Sequence, residues 1–229
     1  MYSNADFVSR VINGVNATTK DDHISRRYIL SIGRDKARTY IAQKLTDRTL
    51  QRESKLFQTI NCFELEKIDK VKCDIVEFRR CDILMKSKQP LPSIVSSRYG
   101  EAILLVTSVD GMVEFDYSSV SDIKRNSLRE FGHLVKNYYI HNNYMYIPNY
   151  EVEVVDIDIL TLEQKEAAEL SSCKECDKCK SVWDYEFICP DRLFDAIVRE
   201  TIQEIFGKKS IPIDENSNLD SNQKSQIRN

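Results

Sequence analysis

Two short turn sequences in the middle of the chain, Asp110-Gly111 and Asn142-Asn143, constrain the fold more than any other feature. Each lies between apolar segments of strand length, and both tolerate the positive φ angles of a two-residue hairpin turn. The flanking segments are residues 102–109, 113–117, 138–141 and 144–147. The middle of the chain is therefore predicted to contain two β-hairpins.

Helical periodicity dominates the two ends of the chain. The predicted helices cover residues 6–12, 28–44, 161–170 and 190–206. Asn13-Gly14 would end the first helix. Pro190 suits the first turn of the last helix, and Gly207 would follow its final turn.

Two more strands are predicted, at residues 60–68 and 151–159. In the second strand apolar and acidic residues alternate, except at Val155-Asp156, which predicts a bulge there. The fold class is therefore α+β, with terminal helices packed together and an antiparallel β-hairpin module inserted between them.

The chain is predicted to have four parts, and the last of them is an extended C-terminal arm. The parts are an N-terminal helical part (1–58), a β-rich module (59–160), a Cys-rich loop with the C-terminal helix (161–206) and the arm (207–229). The arm is polar, and its 23 residues could extend about 75 Å, well beyond a globule with a radius of gyration of about 17 Å. The arm could therefore cross onto a neighbouring protein, and the residues expected to dock are Lys208, Lys209, Ile211, Pro212, Ile213 and Leu219.

Charge is distributed unevenly along a chain whose net charge is −3. Residues 20–55 hold ten Lys and Arg against five acids, a net of +5, and residues 151–204 hold six against fifteen, a net of −9. The net charge argues against a dedicated DNA-binding protein, whose domains usually carry a large positive excess. The two regions suit head-to-tail contact between copies or contact with a different charged partner, and the simpler interpretation is that both are ordinary solvated faces.

Subunit contacts are expected from one basic stripe and from aromatic residues. Arg27, Arg34 and Arg38 recur at helical spacing and share one face. Aromatic side chains supply contact area and polar groups at protein interfaces. The aromatic candidates are Tyr144, Tyr146, Trp183 and Tyr185.

The seven cysteines form two groups. Cys62, Cys73 and Cys81 are interpreted as small buried hydrophobic residues. The second group comprises Cys173, Cys176, Cys179 and Cys189. Their four thiolates could bind zinc, but a zinc ribbon pairs two C-x2-C knuckles, and here the fourth cysteine stands alone. Plain thiols are therefore favoured over a structural zinc site.

Catalytic patterns are missing from the sequence. The three histidines, His23, His133 and His141, are far apart and accompany no nucleophile motif. Asp74, Asp156 and Asp158 could be drawn as a metal-nuclease cluster, but alternating acids on the exposed face of one strand explain the pair Asp156 and Asp158 more simply. No apolar run approaches the roughly 20 residues that span a bilayer, and the N-terminal residues do not form a secretory signal. A non-enzymatic protein is predicted.

Several segments together resemble the head–tail connector, or collar ring, proteins of crAss-like bacteriophages. They are CFELEKID, KCDIVEFRRCDILMKSKQPLP, GEAILLVTSVDG, YMYIPN, CKSVWDYEFICPDRLFDAIVRETIQEIFG and KKSIPIDENSNLD, and they cover most of residues 24–220. None of these segments is a catalytic motif.

The resemblance implies a virion protein made in the bacterial host cytoplasm. It implies a homo-oligomeric ring, with twelve copies to match the portal, that lies under the portal, above further tail or collar rings, and surrounds double-stranded DNA. The C-terminal arm would climb onto the portal. The alternative function is a zinc-binding regulator associated with nucleic acid, which would use the Cys173–Cys189 cluster.

Overall fold

The computed structural model describes residues 2–17, 24–47, 56–68, 83–127, 135–172 and 180–210. Within these ranges the helices are α1 (Asn4–Asn16), α2 (Arg26–Thr46), α3 (Val120–Ser127), α4 (Gln164–Leu170) and α5 (Asp191–Ser210). The strands are β1 (Gln58–Lys67), β2 (Leu84–Ser87), β3 (Ser96–Ser97), β4 (Gly100–Glu101), β5 (Ile103–Ser108), β6 (Asp116–Tyr117), β7 (Asn137–His141), β8 (Tyr144–Pro148) and β9 (Val154–Ile159). The predicted α+β class, with helices at both ends, is confirmed.

Seven strands form one sheet in the order β5-β9-β1-β2-β8-β7-β6. Neighbours in this sheet are antiparallel except β6 and β7, which are parallel. β3 and β4 form a separate small hairpin. Both predicted two-residue turns are present, with φ angles of 50° and 63° at Asn142 and Asn143 and 68° at Gly111.

The segment after the Asp110-Gly111 turn closes the sheet on itself. On one side the Phe115 N–H donates to the Val106 carbonyl of β5, at 2.9 Å. On the other side the Ser118 N–H donates to the Tyr138 carbonyl of β7, also at 2.9 Å. The predicted return strand therefore pairs only briefly with β5 before it joins β7. The enclosed apolar core contains Ile60, Phe63, Met85, Val106, Phe115, Met145, Ile147, Val155, Ile157 and Ile159.

The predicted bulge belongs to β1 and not to β9. Within β9 the residues Val155, Ile157 and Ile159 are fully buried in strict alternation. The register shifts on β1, between Ile60 and Phe63. There Cys62 adopts a φ of 56°, and its N–H donates to Asp156 Oδ1 at 2.8 Å. The interrupted alternation at Val155-Asp156 therefore lies opposite a bulge on the partner strand β1.

Helices α1, α2 and α5 pack into a second apolar core. Phe7 of α1 is fully buried at its centre, stacked on Phe187 with ring centroids 4.1 Å apart. A capping box starts α1, because the Ser3 hydroxyl accepts from the Asp6 N–H and the Asp6 carboxylate accepts from the Ser3 N–H.

Two predicted helix ends are wrong because glycine lies inside a helix. Helix α1 continues through Asn13-Gly14 to Asn16. Gly14 lets α5 approach closely, since a Cβ on Gly14 would lie 2.5 Å from Cδ1 of Ile202. Helix α5 likewise continues past Gly207 to Ser210, so the first residues assigned to the arm are helical. Within the described ranges, no helix has both the length and the apolar character to cross a bilayer.

Candidate assembly surfaces

Of the groups considered for metal or nuclease chemistry, the structure describes only His141, Asp156, Asp158 and Cys189. Those ranges hold no cluster of three or more His, Cys, Asp or Glu suited to a metal ion. The Asp158 carboxylate accepts from the Thr59 hydroxyl at 2.5 Å, and Asp156 accepts from the Cys62 N–H. Both strand carboxylates therefore hold β9 to β1. Asp74, His23, His133, Cys173, Cys176 and Cys179 lie outside the described residues.

The two described cysteines differ in state. Cys189 is a free thiol buried in the helical core. Burial, with the nearby Asp191 carboxylate, raises the pKa of Cys189 to about 12. Cys62 is disulfide-bonded, which corrects the expectation of a simple buried thiol. Cys73 and Cys81 lie outside the described residues.

The predicted arginine stripe lines one groove. Arg27, Arg34 and Arg38 project from one face of α2 into a groove of about 480 Å³, which Trp183 borders on the opposite side. Lys165 and Lys180 also line this groove, against the acids Asp35 and Glu163. The sequence therefore placed the three arginines correctly on one face, and the fold adds two lysines to it.

The three arginines are not equivalent. Arg34 Nη1 lies 2.8 Å from Glu163 Oε2, and this pair ties α2 to the start of α4. Arg27 and Arg38 are exposed and make no ion pair within the described ranges. Arg34 therefore serves the subunit itself, while Arg27 and Arg38 remain available to a partner.

The four aromatic candidates lie in different surroundings. Tyr146 is buried and stacks on Tyr139, with centroids 5.0 Å apart, so its ring belongs to the subunit's own core. Tyr144 is half-buried, with Lys86 Nζ 4.1 Å from its ring centroid. Trp183 and Tyr185 are half-buried beside the start of α1, where the Asn4 N–H donates to the Tyr185 carbonyl at 2.9 Å.

The structure describes only the beginning of the predicted docking arm. Lys208 and Lys209 form part of the last turn of α5. The other predicted docking residues, Ile211, Pro212, Ile213 and Leu219, lie outside the described residues.

A further pocket was not anticipated from the sequence. It has a volume of about 510 Å³ and lies between the end of α2 and strands β4 to β7. We call it the tyrosine pocket, and the lining residues that define it are Phe57, Tyr99, Glu101, Leu104, Tyr117 and Tyr138. Tyr99 is 61% exposed and Tyr117 57%. These residues come from four strands and two loops, so only tertiary structure brings them together.

Comparison with known proteins gives one family match. The family described as phage tail ring protein 2 matches residues 6–224, which is nearly the whole chain. No curated protein matches the chain. The match agrees with the sequence resemblance to ring proteins of crAss-like bacteriophages. The chain therefore belongs to the phage tail ring protein 2 family of crAss-like bacteriophages and is a structural ring component of the virion.

Proposed function

We propose that this ring protein connects the phage head to the tail, directly under the portal, and surrounds the path of the exiting DNA. The observation that carries the proposal is the family match over residues 6–224, which makes the chain a phage tail ring component. The similarity of its segments to head–tail connectors supports the finer position in the particle. Twelve copies would match the portal's symmetry, with further tail or collar rings below.

A basic groove on the described surface is consistent with a ring in which two different faces of neighbouring copies meet. A cyclic ring requires each subunit to use two different surfaces, one toward each neighbour. The groove with Arg27 and Arg38 offers a basic surface on α2. We propose that this groove, with Trp183 at its border, is one side of the subunit contact.

The proposed role is mechanical and involves neither catalysis nor a bound metal. Binding surfaces supply the function, and the C-terminal arm holds the portal. The DNA channel would present acidic side chains, because like-charged walls keep phosphates from adhering as the DNA slides. The protein would be made in the host cytoplasm and enter the particle during assembly.

Imaging of particles that carry a tagged copy of this chain tests the proposal. We expect the tag at the junction of head and tail, in a ring with twelvefold symmetry around the DNA. A tag at the far end of the tail, or lysines and arginines lining the whole channel, would contradict it. A particle without the tag at either place would rule out a resident virion role.

A further inference from the structure

The tyrosine pocket combines aromatic rings with one acidic side chain. Tyr117 and Tyr138 meet edge to face, with ring centroids 5.7 Å apart. Glu101 of β4 lies beside them and lines the same pocket. No basic residue is among the described residues that line it. The pocket therefore has the two features that attract a cation: negative ring faces and a carboxylate.

The Glu101 side chain has no hydrogen-bond or ion-pair partner among the described residues of its own subunit. Burial is the sole cause that raises the pKa of Glu101. The described residues offer this carboxyl no counter-charge, and Glu101 is exposed, so a cation from outside the subunit can reach it.

Elsewhere in the same subunit, two cationic side chains lie over tyrosine rings. The Arg10 guanidinium lies 4.4 Å from the ring centroid of Tyr2, and Lys136 Nζ lies 4.8 Å from that of Tyr150. A guanidinium also forms two parallel hydrogen bonds with a carboxylate, which makes arginine the better match to a pocket with both rings and Glu101.

A suitable arginine lies at the far end of the helix that borders the pocket. Leu45, near the end of α2, lines the tyrosine pocket, and Arg27 lies eighteen residues earlier on α2, about 27 Å away along the helix axis. Arg27 is exposed and makes no ion pair within the described ranges. A pocket and a cation at opposite ends of one helix suit a ring, in which unlike faces of neighbouring copies meet.

We propose that the tyrosine pocket of one subunit binds the Arg27 guanidinium of the neighbouring copy. The inference rests on ring assembly and not on the position of the ring under the portal. The contact orders the ring head to tail, because every copy offers one pocket and one Arg27. It also gives α2 the role of spanning the subunit from one neighbour to the other.

Charge exchange in assembling phage tests this contact. Phage are made with Glu101→Arg, with Arg27→Glu, with both changes, and with a mixture of the two single variants. Each single variant should reduce particles containing the ring about tenfold or more, since like charges then meet at every contact. The double variant should restore particles, because every contact again pairs unlike charges. The mixture should restore them in part, through rings in which the two single variants alternate. The matched controls are Glu114→Arg and Arg125→Glu, exposed residues that line neither the pocket nor the groove.

The alternatives give different results. Single variants that assemble like the wild type would overturn the contact. Loss with Glu101→Arg that neither Arg27→Glu nor the mixture restores would assign the pocket to a cation of the same subunit or of another protein. If imaging located the tagged ring elsewhere in the tail, the proposed head–tail role would be wrong. The result of the charge-exchange experiment would still test the contact between Arg27 and the tyrosine pocket.

Thermal unfolding of purified subunits separates assembly from folding. Glu101→Gln removes an uncompensated charge, so its melting temperature should equal or exceed that of the wild type while its assembly falls. A lower melting temperature would show that Glu101 has a partner inside its own subunit, and the inference would fail.

Discussion

Gly33 of α2 lies directly against the ring of Phe7 of α1. A Cβ placed on Gly33 would lie 2.3 Å from both Cε1 and Cζ of Phe7. Phe7 itself is fixed between Phe187 and Phe194, whose ring centroids are 4.1 and 5.9 Å away. The ring therefore has no room to move aside, and glycine is required where these two helices cross.

Gly33→Ala should destabilise the subunit by about 1–3 kcal/mol, because overpacking at a fixed aromatic ring outweighs the better helix propensity of alanine. Chemical denaturation of the purified protein measures the change. The matched control is Gly207→Ala in α5, where a Cβ would meet nothing within 4 Å. That variant should be neutral or up to about 1 kcal/mol more stable. Equal effects at the two glycines would contradict the tight approach of Phe7.

Periodicity located the helices, and turn sequences located the two hairpins, but neither located the helix ends correctly at glycine. Asn13-Gly14 and Gly207 have the local signature of a helix end, yet α1 and α5 continue through them. At Gly14 the cause is the contact with Ile202, a residue far away in the sequence. Local patterns carry no information about such contacts, and tertiary packing overrides the local preference.

The candidate surfaces were predictable only in part for the same reason. The arginine stripe follows from helical spacing on a single element, and the structure retains it. The tyrosine pocket draws on segments as far apart as Leu45 and Tyr138, so no spacing rule could assemble it. Tyr146 also shows the limit of composition, because an aromatic residue in a hairpin can face either side, and this one faces inward.

Among the three groove arginines, we expect Arg34 to contribute to subunit stability and Arg27 and Arg38 to contribute to ring assembly. Arg34→Ala removes the ion pair with Glu163. Because this pair is partly exposed, the free energy of unfolding of the subunit should fall by up to about 1 kcal/mol. Arg27→Ala and Arg38→Ala should leave stability within about 0.5 kcal/mol of the wild type, because neither has an ion-pair partner in the described ranges. Both should nevertheless weaken ring assembly.

Thermal melts and particle yields of the three arginine variants, measured side by side, check this division. Arg125→Ala, on the exposed face of α3, serves as the control for loss of a surface arginine. If all three groove variants assembled normally, the groove would be an ordinary solvated face.

The Cys189 thiol should resist alkylation in the native protein. Its pKa of about 12, against an ordinary value of 9.0, lowers the reactive thiolate at pH 8 about a thousandfold, and burial restricts access as well. Mass spectrometry of the Cys189 peptide after iodoacetamide treatment measures the reaction, and the same treatment in denaturant is the control. Rapid native labelling would contradict the buried position.

Zinc analysis belongs beside that experiment. We expect protein purified without chelator to contain almost no zinc, since Cys189 packs among apolar residues of the helical core. About one zinc per chain would instead favour the metal-binding alternative for the Cys173–Cys189 segment.

Removal of residues 211–229 should leave a folded subunit that no longer binds the portal. The described helices and sheet end at Ser210, so the two apolar cores keep all their members. Ordering an arm costs roughly 1–2 kcal/mol per residue, and a docking partner must offset that cost. Circular dichroism tests the fold, and co-sedimentation with purified portal tests binding. Deletion of residues 221–229 alone retains Ile211, Pro212, Ile213 and Leu219 and should bind like the full chain. Portal affinity that is unchanged in the longer deletion would show that the arm docks elsewhere.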